Sequence, residues 1–315
     1  MIILTNRYRQ YSQGHVNVWL FMLLVVIFAG LLLYYVNEWY KEPRAGVKWH
    51  RYGENDVALV TGGSQGLGRE IVGQLLYQKV NVIVIDIVEP TFEGCKYYRC
   101  DLSNENEVKA TIQLIIDNLN SNKQHISLLV NNAGIRHHES LMNLSDKRIN
   151  QIFNINTFSQ IWMIKLIYQN HVNLYKNQRL FIVTISSILG VIGPKNLSVY
   201  SASKAATIQI FESLCQEIML NTIRLLLVTP GQLSTGMFQG IEESSKFFAP
   251  IVNHKFLAKK IVNQINQGKV GTILDPFYAN FIPVIKCFPF ILQQFCRWLS
   301  GMDSKIIDPN EPNVQ

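Results

Sequence analysis

The sequence predicts a doubly wound α/β fold, a parallel sheet with helices on both faces, behind one amino-terminal transmembrane helix. Three observations predict it. Short, wholly apolar runs alternate with stretches of helical periodicity along most of the chain. Runs that apolar suit parallel strands covered on both sides, and strand–helix alternation winds such a sheet. The third observation is a longer apolar run near the start, Val18–Val36.

Composition narrows the class. Hydrophobic residues make up 48% of the 315 residues and charged ones 16%, an apolar balance that points to membrane contact. The net charge of +7 suits anionic lipid headgroups or a phosphate-rich cofactor. No basic stripe interleaved with aromatics occurs, so nucleic acid is not an expected partner. The five cysteines are odd in number and form no C-x-x-C pair. That argues against a disulfide framework, leaves no metal expected, and favours a reducing compartment.

The elements follow in order. Residues 1–17 form a tail. Residues 18–36 read VWLFMLLVVIFAGLLLYYV and form the anchor. At about 1.5 Å per residue the run nearly spans a hydrocarbon core of about 30 Å. Trp19 at one end and Tyr34, Tyr35, Trp39 and Tyr40 at the other resemble interfacial aromatic belts. A cleaved signal peptide would have a shorter apolar region and a small-residue cleavage site, so an uncleaved anchor is the better reading. Arg7 and Arg9 precede the run, whereas Lys41, Arg44, Lys48 and Arg51 follow it, which favours a cytosolic carboxyl side. Two N-x-S sequons, at Asn143 and Asn196, would matter only if the domain were luminal. Residues 37–56 read as a polar linker.

The catalytic domain is expected over 57–275. Its strands are Val57–Val60, Val80–Ile85, Ser127–Val130, Leu180–Ile185 and Ile223–Val228; helices are expected over 67–76, 103–119, 145–170 and 198–220. Beyond Thr235 no pattern is legible. Residues 276–315 form an aromatic-rich tail with two equal readings, a membrane-associated surface patch or a lid that completes the core.

The chemistry gathers at three places. Thr61-Gly62-Gly63-Ser64-Gln65-Gly66-Leu67-Gly68 lies between the first strand and its helix. Glycines there permit a tight turn and close approach to a pyrophosphate, and the helix terminus adds unpaired N–H groups. An ordinary tight turn would look the same, but the strand-before, helix-after context favours the nucleotide reading. Asp86 ends the second strand, eighteen residues past Gly68. An acid at that distance accepts hydrogen bonds from an adenosine ribose and repels a 2′-phosphate, which favours NAD(H) while leaving NADP(H) open. Tyr200 and Lys204 are four apart on an expected helix and share a face. A nearby ammonium favours tyrosinate and would lower the tyrosine pKa from about 10, making Tyr200 a proton donor and acceptor.

These pieces occur together and in order. TGGSQGLG at 61–68, CDLS at 100–103, NNAG at 131–134, Asn156, Ser187, YSASK at 200–204 and PGQLST at 230–235 form a set that resembles the short-chain dehydrogenase/reductase family, whose fold is the Rossmann type. The match covers about 57–240. The resemblance implies Tyr200 as general acid/base, Lys204 on the nicotinamide ribose, Ser187 on the substrate oxygen and Asn156 holding a water in a proton relay. It places Asp101, with Leu102 beside it, at the adenine, Asn132 along the cofactor, and Leu233 and Thr235 at the nicotinamide amide. The anchor, the FNINTFSQIWMIK segment at 153–165 and the aromatic tail are similar to the membrane-bound retinol and hydroxysteroid dehydrogenase branch. That implies a lipophilic alcohol or ketone substrate, membrane lipid as a partner, an endoplasmic reticulum, lipid-droplet or outer mitochondrial location, and a homodimer as a common arrangement.

One departure stands out. Only fifteen residues separate Asp86 from Asp101, leaving little room for the helix the family usually places there, and EPTFEGCK is turn-like. Two rival readings remain: an NADPH-linked reductase of lipid synthesis, and a catalytically silent membrane-tethered nucleotide-binding scaffold.

Overall fold

A computed structural model describes residues 2–41, 49–218, 220–238 and 250–304. Residues 42–48 of the expected linker and 305–315 of the expected tail lie outside it. The chain divides into two units, Met1–Glu42 and Pro43–Gln315. The first is a helix, α1, over Ile2–Lys41, so the helix extends past the 18–36 run on both sides. Its Leu20–Asn37 stretch is long and apolar enough to cross a membrane, and none of it is buried within the chain.

The second unit is built on a seven-stranded sheet of β1 (Val57–Thr61), β2 (Asn81–Asp86), β3 (Cys95–Arg99), β4 (Ile126–Asn131), β5 (Leu180–Ile185), β6 (Ile223–Pro230) and β7 (Gly271–Asp275). The spatial order is β3-β2-β1-β4-β5-β6-β7 and every pairing is parallel. Six helices serve it: α2 (Gly66–Tyr77), α3 (Glu105–Ser121), α4 (Asp146–Phe153), α5 (Ser159–Leu174), α6 (Ser198–Glu217) and α7 (His254–Gln267). A π-helical turn, Asn154–Phe158, joins α4 to α5, so the single helix expected over 145–170 is widened in its middle.

Strand alternation splits the core in two. Ala58 and Val60 face one layer with Leu67, Ile71 and Leu75 of α2 and Leu257 and Ile261 of α7. Val57 and Leu59 face the other with Ile112 of α3, Met163 of α5 and Phe211 of α6. Burial on both faces is why these strands read as continuous apolar runs.

Three elements go beyond the sequence expectation. β3 is a half-exposed edge strand, CKYYR, without an apolar run to announce it. The short β2–β3 segment indeed holds bends and no helix. α7 and β7 occupy the stretch past Thr235 that showed no pattern.

The 37–56 stretch read as a linker divides as well. Residues 49–56 are clasped onto the domain. Trp49 Nε1 donates to Ile265 O at 2.9 Å, and the Tyr52 hydroxyl donates to Ser127 O at 3.0 Å. Arg179 lies 4.0 Å from the Tyr52 ring centroid and pairs with Asp56 at 2.6 Å, while Arg224 lies 4.3 Å from the Trp49 ring.

Beyond β7 come a short 3₁₀ turn (Phe277–Asn280), α8 (Ile282–Ile285) and α9 (Phe290–Ser300).

Candidate active site

Strand order reverses between β1 and β4, and such a switch point leaves a crevice outside the carboxyl ends of the strands. A cavity of about 550 Å³ lies there. Of the residues expected from the sequence, Gly62, Gln65, Gly66, Leu67, Asp86, Asp101, Leu102, Asn132, Ser187, Tyr200, Lys204, Leu233 and Thr235 line it. Ser64, Gly68 and Asn156 do not; they brace the wall from behind.

The glycine turn shows why its sequence is constrained. Gly62 has φ +62°, a left-handed conformation that a side chain would strain. A Cβ on Gly68 would lie 2.1 Å from Gly62 O, so α2 and the turn can approach only without one. Asn132 Nδ2 fastens the turn by donating to Thr61 O and Gly62 O, both at 3.0 Å. The α2 N-cap, Gln65, makes no side-chain capping bond, leaving the first-turn N–H groups for an anion.

Asp86 is fixed at the rim. Its carboxylate accepts from Ser64 N at 3.1 Å and Val88 N at 3.2 Å, and the Ser64 hydroxyl donates to Val88 O at 2.5 Å. Ser64 thus holds Asp86 rather than facing the cavity. The positive-φ turn, the uncapped helix end and the fixed carboxylate together fit a dinucleotide.

At the far end stand Ser187, Tyr200 and Lys204. Tyr200 is 3% exposed, and burial pushes its hydroxyl up to about 12; a hydrogen bond with Ser187 and the Arg136 guanidinium pull it back. Lys204 Nζ donates to Ile185 O at 2.9 Å, and burial pushes its ammonium down to about 8. The expectation that Lys204 lowers Tyr200 is therefore corrected for this state. Desolvation dominates both groups, and the pull on Tyr200 comes from Ser187 and Arg136. Ser186, the neighbour easily confused with Ser187, turns its hydroxyl into α6, donating to Lys204 O at 2.8 Å.

Asn156 is fully buried inside the π-helical turn. Its Oδ1 accepts from Ile135 N at 2.8 Å, and its Nδ2 donates to Ile135 O and Ser203 Oγ, both at 2.9 Å. Its own carbonyl accepts from Gln160 Nε2 at 2.8 Å. The side chain is thus committed to holding the segment after NNAG against α6.

Two residues of that segment were not legible. His137 Nε2 accepts from Tyr200 N at 3.3 Å, and its Nδ1 faces Glu139 O at 3.1 Å. A backbone N–H only donates, so Nε2 must be the bare nitrogen and Nδ1 carries the proton. His137 therefore caps the first turn of α6 as a neutral imidazole, and burial favours that neutral form. Arg136 Nε donates to Met237 O, tying this segment to the one after Thr235, and Arg148 Nη2 donates to Arg136 O at 2.8 Å. No motif marks either residue; only the folded loop brings them to Tyr200.

A nucleotide cradle at a sheet's switch point, with a buried tyrosine and lysine one helical turn apart, defines a class of dehydrogenase. The chain belongs to the short chain dehydrogenase family, whose model matches residues 56–246. It is an NAD(P)-dependent oxidoreductase acting on a CH–OH group. Among its relatives is the uncharacterized oxidoreductase TDA5 of Saccharomyces cerevisiae, 37% identical over 263 residues, which span 81% of this chain and 79% of that one. Another is human epidermal retinol dehydrogenase 2, 28% identical over 248 residues, spanning 74% and 78% of the two chains. Among solved structures, a short chain dehydrogenase from Burkholderia cenocepacia in complex with NADP superposes with a TM-score of 0.63 at 20% identity, over 78% of this chain and 98% of that one. A 4-hydroxyisoleucine dehydrogenase complexed with NADH gives 0.62 at 20%, over 70% and 96%. The two structural likenesses show a shared fold.

Proposed function

We propose that the protein is a membrane-anchored, NAD(H)-preferring oxidoreductase that interconverts a lipophilic alcohol and its carbonyl compound, with Tyr200 as general acid/base. The observation that carries this reading is the convergence of Ser187, Tyr200 and Lys204 on the cavity that also holds the glycine turn and Asp86. The relation to epidermal retinol dehydrogenase 2 supports a lipophilic substrate. The Leu20–Asn37 helix supports the anchor. The excess of basic residues after it supports a cytosolic domain, on the endoplasmic reticulum, a lipid droplet or the outer mitochondrial membrane.

The bound dinucleotide supplies or accepts the hydride. The chain's residues do the rest. Thr61–Gly68 and the first turn of α2 receive the pyrophosphate. Asp86 accepts from the adenosine ribose, and its charge disfavours a 2′-phosphate. Leu233 and Thr235 meet the amide side. In reduction, the Ser187 and Tyr200 hydroxyls donate to the substrate oxygen, and Tyr200 hands over its proton as negative charge develops there. In oxidation, Tyr200 takes the proton back, with the Ser187 hydroxyl and the Arg136 guanidinium favouring the tyrosinate and Lys204 holding the nicotinamide ribose.

The test uses the detergent-solubilised protein beside Tyr200→Phe, following NADH and NADPH oxidation across lipophilic ketones and aldehydes. NADH should serve better than NADPH. Tyr200→Phe should lose about 10²-fold or more in turnover, within the range a positioned acid/base contributes, while NADH fluorescence still reports binding. Undiminished turnover in the variant would overturn the assignment.

A further inference from the structure

Helix α9 is turned inside out for a helix on a water-soluble domain. A surface helix normally buries its apolar stripe and shows its polar face to water. Here no residue of α9 is buried, and its partly covered positions are Gln293, Cys296, Arg297 and Ser300. Its outward face is Phe290, Ile291, Leu292, Phe295, Trp298 and Leu299, with Gln294 as its one polar member; Ile291 is 76% and Trp298 74% exposed. Just before it, Phe281, Val284 and Phe288 are exposed as well.

This arrangement is held in place. Arg297 makes a forked pair with Asp303, at 2.9 and 2.7 Å, and also donates to Gly193 O at 2.9 Å. Asp303 in turn accepts from Lys195 N at 2.9 Å. Gly193 and Lys195 lie in the β5–α6 loop, between Ser187 and Tyr200 in the chain. At the other end of the tail, a Cβ on Gly231 would come within 2.7 Å of the Tyr278 hydroxyl, so the 3₁₀ turn packs on the loop after β6. The tail therefore touches both loops that frame the site.

We propose that the outward face of α9 rests in the headgroup–acyl boundary of the membrane, and so seats the β5–α6 loop at the lipid surface. Two features choose lipid over protein. The outward face carries no charged residue; Arg297 is spent on Asp303, and the exposed charge flanking the face is Lys286, a sign complementary to anionic headgroups. The exposed face is aromatic and aliphatic, the composition of helices that lie in the interface plane. The inference rests on the membrane-anchored reading, which already keeps the domain tethered beside a bilayer. It makes the tail the route by which an apolar substrate passes from lipid toward Ser187 and Tyr200.

The test uses the full chain in phosphatidylcholine–phosphatidylserine vesicles containing acyl-chain-brominated phosphatidylcholine. The Trp298 fluorescence is isolated as the difference between the native chain and Trp298→Phe, a substitution at an exposed position. Brominated lipid should remove most of this component, and aqueous iodide should quench it far less in vesicles than in detergent. Ile291→Glu should restore iodide quenching without altering NADH binding. Quenching by iodide alone in vesicles would overturn the proposal. Quenching by neither agent would assign the face to a second protein chain and overturn it equally. Failure of the chain to float with vesicles would remove the anchored reading itself. Flotation with Trp298 unquenched by lipid would remove only the inference about α9.

Discussion

Tyr200 and Lys204 sit one helical turn apart, yet their protons answer to different neighbours. Burial raises one and lowers the other, and among the described residues the full charge pulling Tyr200 back is Arg136. The sign of its effect is fixed: a guanidinium favours tyrosinate, so removing it raises the tyrosine pKa further. Alcohol oxidation needs tyrosinate as base. Arg136→Met should therefore move the rising limb of the kcat/KM–pH profile for oxidation to higher pH. Carbonyl reduction, which needs the protonated hydroxyl, should persist to higher pH in the same variant. A lower rate with unmoved limbs would mean that Arg136 only tethers Met237. At this scale the sequence was informative wherever spacing alone brings groups together. Tyr200 and Lys204 share a helix face, and Asp86 ends a strand beside the glycine turn. It was silent on Arg136 and His137, whose partners lie 101 and 63 residues away through a loop whose path no periodicity encodes.

The glycine turn and α2 act as one element, because Gly68 lets the helix pass against the backbone of Gly62. Gly68→Ala would place its methyl carbon 2.1 Å from a carbonyl oxygen, a contact that backbone must move to relieve. Overpacking of this kind costs about 1–3 kcal/mol, and here the movement falls on the nucleotide cradle itself. The expected outcome is a lower Tm together with at least about a tenfold weaker NADH affinity, measured by fluorescence titration. A variant with native affinity would mean that the turn tolerates the shift. The central strands were legible because both their faces are dry. β3 was not, since an edge strand needs no apolar run. The signal for α7 is present in the sequence: Asn253 caps it by accepting from Lys255 N, Leu257, Ile261 and Ile265 recur at four-residue steps, and Gly268 ends it in the left-handed region. No apolar run introduces it, so a reading that starts from strands passes over it.

At the scale of the molecule, the two core layers and the switch point follow from a strand–helix alternation visible in the sequence, and the cofactor crevice follows from them. The domain's starting edge does not. The strand pattern places it at Val57, yet Trp49, Tyr52 and Asp56 supply two aromatic rings and a carboxylate to Arg179 and Arg224, which are only 4% and 6% exposed. Where one cuts the chain to free the domain from its helix therefore decides whether it survives. A polypeptide starting at Val57 would keep both guanidinium groups while discarding the rings that cover them and the carboxylate that neutralises Arg179. Stranding a buried charge in this way costs about 3–5 kcal/mol, a large share of the roughly 5–15 kcal/mol by which domains are stable. A polypeptide starting at Trp49 keeps the covering intact. Thermal unfolding of the two should separate them clearly, the longer one melting cooperatively and the shorter one aggregating or melting far lower. Eight residues outside any helix or strand would then mark the difference between a domain that holds its fold and one that loses it.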